Sequence, residues 1–290
     1  MLRKGDLTQG GITGTLLHFT LPMMVGSFLQ QCYNIADTLI VGQCIGAGAL
    51  AAVGSAYTLM VFLISVLLGL AMGSGTVFSL HYGAGNHVAL RRSIFSSFVL
   101  IGIVTLILNV AVFIWLGPIL RLLQVPQDIY GMMRSYLWII FCGIVFTFIY
   151  NFYASLLRAV GDSVTPLWFL AVSVVLNIAL DLFFILQLDW GIQGAASATV
   201  LAQGVAALGI IIYTYRRRPE LRWHHEDMCF DRTCLKEIAS FSTLTCIQQS
   251  VMNLGILMVQ GLVNSFGTVV MAAFAAAIKI DSFAYMPVQE

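Results

Sequence analysis

The chain has 290 residues, of which 59% are hydrophobic and only 9% charged, and its mean hydropathy is +0.92. That leaves too little polar surface for a soluble globule of this size, and a net charge of +1 offers no electrostatic footprint for nucleic acid. What remains is an integral membrane protein, and because its apolar runs far exceed the length of barrel strands, the spans are helices whose backbone groups satisfy one another.

Residues 1–14 are polar and lack the compact apolar core and small-residue cleavage site of a signal peptide, so the first apolar run is expected to be a retained span. At about 20 apolar residues per span, the chain holds eight runs, over 15–42, 50–76, 93–117, 131–157, 164–188, 192–215, 238–264 and 268–290. With the amino terminus on the cytoplasmic side, all of the 14 basic residues except Arg121, Arg134 and Lys279 fall on that side. This bias predicts the orientation of a multi-pass plasma membrane protein. Cys32, Cys142 and Cys246 lie within apolar runs and read as small buried side chains rather than a disulfide framework.

The one long polar break, Arg216 to Glu237, separates six spans from two. His224, His225, Cys229 and Cys234 could be zinc ligands only in a compact finger-like setting, and the segment reads instead as a solvated linker. An internal repeat accounts for the division: Gly46, Ala47, Leu50, Ala51 and Ala52 recur as Gly267, Thr268, Met271, Ala272 and Ala273, each 221 residues later. The expected organisation is an amino-terminal six-helix lobe over 1–215, a cytoplasmic linker over 216–237, and the first two helices of a parallel-repeated second lobe over 238–290. On this reading the second unit is cut short.

Charged residues inside such runs are costly and tend to mark ion paths. In the first run Ser27, Gln30, Asn34 and Asp37 share one helix face; in the fifth Ser173, Asn177 and Asp181 do; in the sixth Ala195, Thr199 and Gln203 do. Three polar stripes cannot all face lipid, so they must face one another or a cavity. At about 1.5 Å per residue, Asp37 lies roughly 8 Å below Gly42, Asp181 roughly 12 Å below Asp189 and Thr199 roughly 12 Å below Gly191. Asp37, Asn177, Asp181 and Thr199 therefore form the candidate Na⁺ or H⁺ site, with Gln30, Asn34, Gln203 and Lys279 as candidate cavity-lining residues. Two carboxylates at one depth would titrate as a coupled pair. Interhelical hydrogen bonding alone is the plainer reading of a single Asn, but a poor account of two acids beside an amide.

Pro22 should bend the first helix, either as a hinge or as a static kink. Gly42 with Gly46, and Gly69 with Gly73, are spaced for close helix packing. Met258 stands at the repeat position of Asp37, and the seventh run carries Gln248, Gln249, Asn253 and Gln260 but no acid, so the two units are not chemically equivalent.

The chain resembles the multidrug and toxic compound extrusion (MATE) transporter family, nearest to its DNA-damage-inducible-protein-F-like branch. The matching residues are Leu21-Pro22, Gln30, Tyr33-Asn34, Asp37-Thr38, Val41-Gly42 and Leu50 through Gly54, then Arg158 through Pro166, Asn177 with Asp181, Gly191, and Gly194-Ala195-Ala196 with Thr199. The resemblance implies two six-helix lobes in a bacterial inner membrane, cation-coupled efflux of amphipathic, often cationic compounds, and an amino-lobe site at Asp37, Asn177, Asp181 and Thr199, with the bend centred on Pro22. It implies no enzyme activity, no cofactor beyond H⁺ or Na⁺ as coupling ion, and no obligate protein partner. Members of the NorM-type branch carry an acid in the seventh helix, which is missing here. The alternative within the same architecture is a lipid-linked precursor or polysaccharide flippase, against which the near absence of Arg and Lys in the spans counts. A membrane prenyl transferase would need paired acidic clusters for Mg²⁺, and no DDxxD-like cluster occurs.

Overall fold

A computed structural model describes residues 12–223, 227 and 232–289. The helices in chain order are α1 (Ile12–Cys44), α2 (Ala47–Gly83), α3 (His87–Leu122), α4 (Gln127–Cys142), α5 (Ile144–Ala159), α6 (Val164–Leu182), α7 (Gly191–Arg217), α8 (Arg232–Asn264) and α9 (Thr268–Gln289). A π turn, Phe183–Gln187, extends α6, and a 3₁₀ turn, Pro219–Leu221, comes after α7. The eight predicted runs correspond to these helices once α4 and α5 are taken as one span bent by 50°. Gly143 sits at the bend, where an added Cβ would lie 2.5 Å from the side chain of Val200 on α7. A larger residue there would push α7 away from the broken span.

The helices α2, α3, α6 with its π turn, α7 and α8 have the length and hydropathy to cross a membrane, as does the bent pair α4 and α5 taken together. In α1 the apolar run is interrupted by Gln30, Gln31, Asn34 and Asp37, yet the helix continues unbroken from Ile12 to Cys44 and through Pro22. The connections are short and carry recognisable turn chemistry. Gly46 (φ +117°) precedes α2, and Gly267 (φ +91°) precedes α9 at the equivalent position of the repeat, both in the left-handed region that a side chain disfavours. Asn86 caps α3 by accepting a hydrogen bond from the amide of Ala89 at 3.1 Å.

At the centre lies α2, and its most extensive contact is with α8. Glycines allow it: a Cβ at Gly69 would lie 2.5 Å from Cys246 Cα, and one at Gly73 would lie 2.4 Å from Ser242 Cα. The backbones approach closely enough for Thr245 Oγ1 to donate to the Gly69 carbonyl at 2.8 Å and Ser242 Oγ to that of Leu70 at 3.2 Å. Close packing at Gly69 and Gly73 is thus as expected. The Gly42 and Gly46 pair is a correction: Gly42 makes only ordinary contact with Leu50, and Gly46 serves the turn.

A second correction concerns the linker. Far from being wholly solvated, its described part packs onto the end of the bundle at which α3 starts and α7 finishes. Leu221 is buried; Trp223 packs edge to face against Phe95 and Tyr215 and tilted against Phe98; Asp227 is buried against Arg91 at 2.7 Å. Arg218 bridges Asp162 and Glu220 at 3.3 Å each. These contacts gather around a small cavity lined by Ile94, Tyr153, Leu156 and Trp223, so aromatic burial holds the segment that polarity alone would leave free. His224, His225 and Cys229 lie outside the described residues, and Cys234 is buried.

Candidate functional site

The packing of α1 on α6 sets the level of the polar residues. These two helices run parallel, with Gly26 against Leu167 and Leu170. Advancing 11 residues along each puts Asp37 beside the stretch from Asn177 to Asp181. From the other side α7 runs antiparallel to α6 and brings Thr199 to Asn177.

The four predicted residues converge and are all buried, Asp181 completely (0% exposed). Thr199 Oγ1 is the junction: Asn177 Nδ2 donates to it at 3.3 Å, and the Tyr33 hydroxyl lies 3.3 Å away. Asp37 and Asp181 are near enough to couple electrostatically. No amide or hydroxyl among the described residues donates to either oxygen of Asp181, and Asn177 Oδ1 likewise has no hydrogen-bond partner. A carboxylate held out of water without donors is expensive, and the arrangement is relieved by whatever positive charge or proton joins the two acids. The acceptors are hard oxygens from carboxylate, amide and hydroxyl, a donor set suited to a hard cation or a proton and not to a thiophilic metal.

Two aromatic residues of the site lie outside the polar stripes read from the sequence. Tyr33 is one turn before Asp37 on the same face, and the i, i+4 spacing was the available signal. Tyr136, on α4, is buried within electrostatic reach of Asp37, Asp181 and Tyr33. It belongs to another span, and nothing in the sequence ties it to the acids. Two residues after Asp181 the helix widens into the π turn, which sets Phe184 on Trp190 with ring centroids 5.1 Å apart. A one-turn π segment of this kind rotates the facing of the residues beyond it.

The candidate cavity residues divide. Asn34 is buried beside Asp37, with its carbonyl accepting from Thr38 Oγ1 at 2.6 Å. Gln30 is exposed on α1, so the polar stripe enters the site only in its last turns. Gln203 is committed elsewhere: its Oε1 accepts from Thr147 on α5, away from the acids. Lys279 lies within α9, its side chain outside the described residues, and Asp281 is exposed.

A different polar group joins α8 to α2. Gln260 Nε2 donates to Ser55 Oγ at 2.9 Å and to Asn264 Oδ1 at 2.8 Å, Thr58 Oγ1 donates to Gln260 Oε1 at 3.2 Å, and Asn264 Nδ2 donates to the Leu123 carbonyl at 2.8 Å. Ser55 Oγ closes the cluster on Asn264 Oδ1 at 3.0 Å. Met258, at the repeat position of Asp37, is 70% exposed and takes no part.

Comparison with known proteins agrees with this architecture. The MatE family model matches residues 22–183, more than half of the chain. The probable multidrug resistance protein YpnP of Bacillus subtilis is 32% identical over 99% of this chain and 64% of its own length, and the probable multidrug resistance protein NorM of Thermotoga maritima is 28% identical over 94% and 59%. Among solved structures, an outward-facing multidrug resistance MATE transporter of the MOP superfamily superposes with a TM-score of 0.86 at 23% identity, over 97% of this chain and 62% of that one. The chain thus spans under two thirds of the length of these relatives. With the family model, the curated relatives and the shared fold in agreement, this chain belongs to the MATE family of transporters.

Proposed function

We propose that the protein acts in multidrug efflux as a cation-coupled antiporter, with the coupling ion, H⁺ or Na⁺, taken up at Asp37 and Asp181 and assisted by Asn177 and Thr199. The observation that carries this reading is Asp181: it is fully buried, close to a second carboxyl group, and without an amide or hydroxyl donor among the described residues. A purely structural carboxylate would be supplied with hydrogen bonds. Sodium would use the oxygens of all four residues, whereas a proton needs only the carboxylates. In the exchange cycle, uptake of the cation weakens the hold on a cationic amphiphile and favours rearrangement of the lobes, with Pro22 as the hinge of α1. Each positive charge moving inward across about 100 mV supplies roughly 2.3 kcal/mol, enough for a roughly fifty-fold concentration gradient. On the same reading the amino terminus is cytoplasmic and the chain belongs in the bacterial inner membrane, as a six-helix lobe joined to the start of a second.

The test is transport of a cationic dye by the reconstituted protein in vesicles with proton and sodium gradients imposed separately. One gradient should drive export, and Asp37→Asn and Asp181→Asn should each abolish that driven component while leaving expression unchanged. Undiminished transport in both variants overturns the assignment.

A further inference from the structure

The arginines at the linker end of the bundle fall into two sets. Arg91 and Arg218 are engaged by Asp227, Asp162 and Glu220, and Arg158 Nε donates to the Ala154 carbonyl at 3.2 Å. By contrast Arg216 and Arg217, in the last turn of α7, are exposed and have no carboxylate partner among the described residues. Arg222 is also exposed and folds back so that its Nε donates to the Tyr215 carbonyl, bringing a third guanidinium to the same turn.

These arginines continue an apolar surface. On α7 the exposed residues Leu201, Val205, Leu208 and Ile212 recur at helical spacing, and the next position of that stripe is Arg216. On the neighbouring α6, Trp168, Val172 and Val175 form a second exposed stripe. Phe169 meets Tyr213 edge to face at 6.1 Å, which sets Trp168 about one turn, roughly 5 Å, from the level of Arg217. Apolar surface, an amphipathic indole and exposed guanidinium groups thus succeed one another along one line, in the order that a bilayer leaflet presents acyl chain, interface and phosphate.

We propose that the surface between the α6 and α7 stripes binds an anionic glycerophospholipid, with its phosphate at Arg216, Arg217 and Arg222 and an acyl chain along Ile212, Leu208 and Val205. Compensation of the α7 dipole would require only positive charge in the last turn. Guanidinium groups match a phosphate in fork geometry as well as charge. A second copy of this chain is a poor occupant, because a twofold axis along the membrane normal would set the arginines of one copy against those of the other at the same depth. The site is separate from the acid group and independent of the coupling reaction.

Native mass spectrometry of the purified protein, titrated with phosphatidylglycerol and with phosphatidylcholine of the same acyl chains, reads this directly. The wild type should retain phosphatidylglycerol preferentially, and each of Arg216→Gln, Arg217→Gln and Arg222→Gln should weaken it about fivefold, at about one basic side chain's share of an anionic surface. The triple variant should lose the preference, whereas Arg121→Gln, at the opposite end of α3, should keep it. Leu208→Trp, which obstructs the acyl path with all arginines present, should also reduce retention. Wild-type preference in the triple variant overturns the proposal. So does unaltered retention in Leu208→Trp, or displacement of the lipid by millimolar inorganic phosphate, since either outcome means that no acyl chain is held. Should the triple variant fail to fold, the three single variants are decisive on the same criterion.

Discussion

Where α1, α6 and α7 meet, Asp181 and the side-chain oxygen of Asn177 find no amide or hydroxyl donor among the described residues; where α2 and α8 meet, amides and hydroxyls answer one another. Among the described residues no amide or hydroxyl supplies either oxygen of Asp181, while Gln260 and Asn264 use both ends of their amides. The helix packing differs in the same sense. The α2 and α8 backbones approach until a Cβ at Gly73 would overlap Ser242 Cα at 2.4 Å, whereas Gly26 of α1 would meet the Leu167 side chain at an ordinary 3.6 Å. A satisfied polar cluster over close backbone contact fixes two helices together. An unsatisfied one beneath looser side-chain contact is a place where something else can bind, and where movement costs less.

The comparison breaks most visibly if stability and transport respond together. The largest effect expected is on transport: Asp181→Asn should eliminate cation-driven export yet leave the unfolding midpoint in detergent unchanged or raised, because it removes a desolvated charge and no amide or hydroxyl hydrogen bond. A loss of stability there would mean that the acid is structural. Next, Gly73→Leu should destabilise by about 3 kcal/mol through overpacking against the α8 backbone, read from equilibrium unfolding. A neutral result would show that α8 is free to separate from α2.

Smaller changes sharpen the contrast. Gln260→Leu strands Ser55, Thr58 and Asn264 and should cost about 2 kcal/mol in the same measurement. Thr199→Val keeps the shape but removes the oxygen shared by Tyr33 and Asn177; about 1 kcal/mol of stability and a several-fold weaker response to the driving cation are expected, from unfolding and dye efflux in parallel. Smallest of all, Gly26→Ala should shift stability by no more than about 0.5 to 1 kcal/mol, and in the favourable direction, since Ala is the better helix former and its methyl group would meet Leu167 and Leu170 only at ordinary contact distance. A substantial loss from Gly26→Ala would show the α1 and α6 contact to be as tight as that of α2 and α8.

The convergence of the polar residues was legible in the sequence where helix periodicity and short connections leave few choices. Asn177 and Asp181 are one turn apart on one helix, and the brief link from α6 to α7 forces Thr199 to their side. Asp37 came to them by a weaker argument, the cost of a carboxylate in lipid, and the α1 and α6 register supplied the contact. Tyr136 was out of reach because it arrives on α4, with no spacing to tie it to the acids. Gln260 was visible as a polar residue of the seventh span, but its partners Ser55 and Thr58 lie some two hundred positions earlier, and only packing joins them. The linker departs from its sequence expectation for a related reason: charge and proline suggest solvent, whereas Trp223 and Asp227 find an aromatic shelf and an arginine on α3 that local composition does not reveal.

What the sequence alone determined is the set of helices and which of their faces must avoid lipid, because a bilayer leaves the backbone no alternative partner and imposes a high cost on an outward carboxylate. Tertiary structure decided which polar groups are satisfied. That outcome depends on how far each helix slides and how closely it approaches its neighbour, which a handful of small residues set at the crossings: Gly69 and Gly73 admit the α8 backbone, Gly143 admits Val200, and Gly46 and Gly267 turn the chain where their φ angles exclude most side chains.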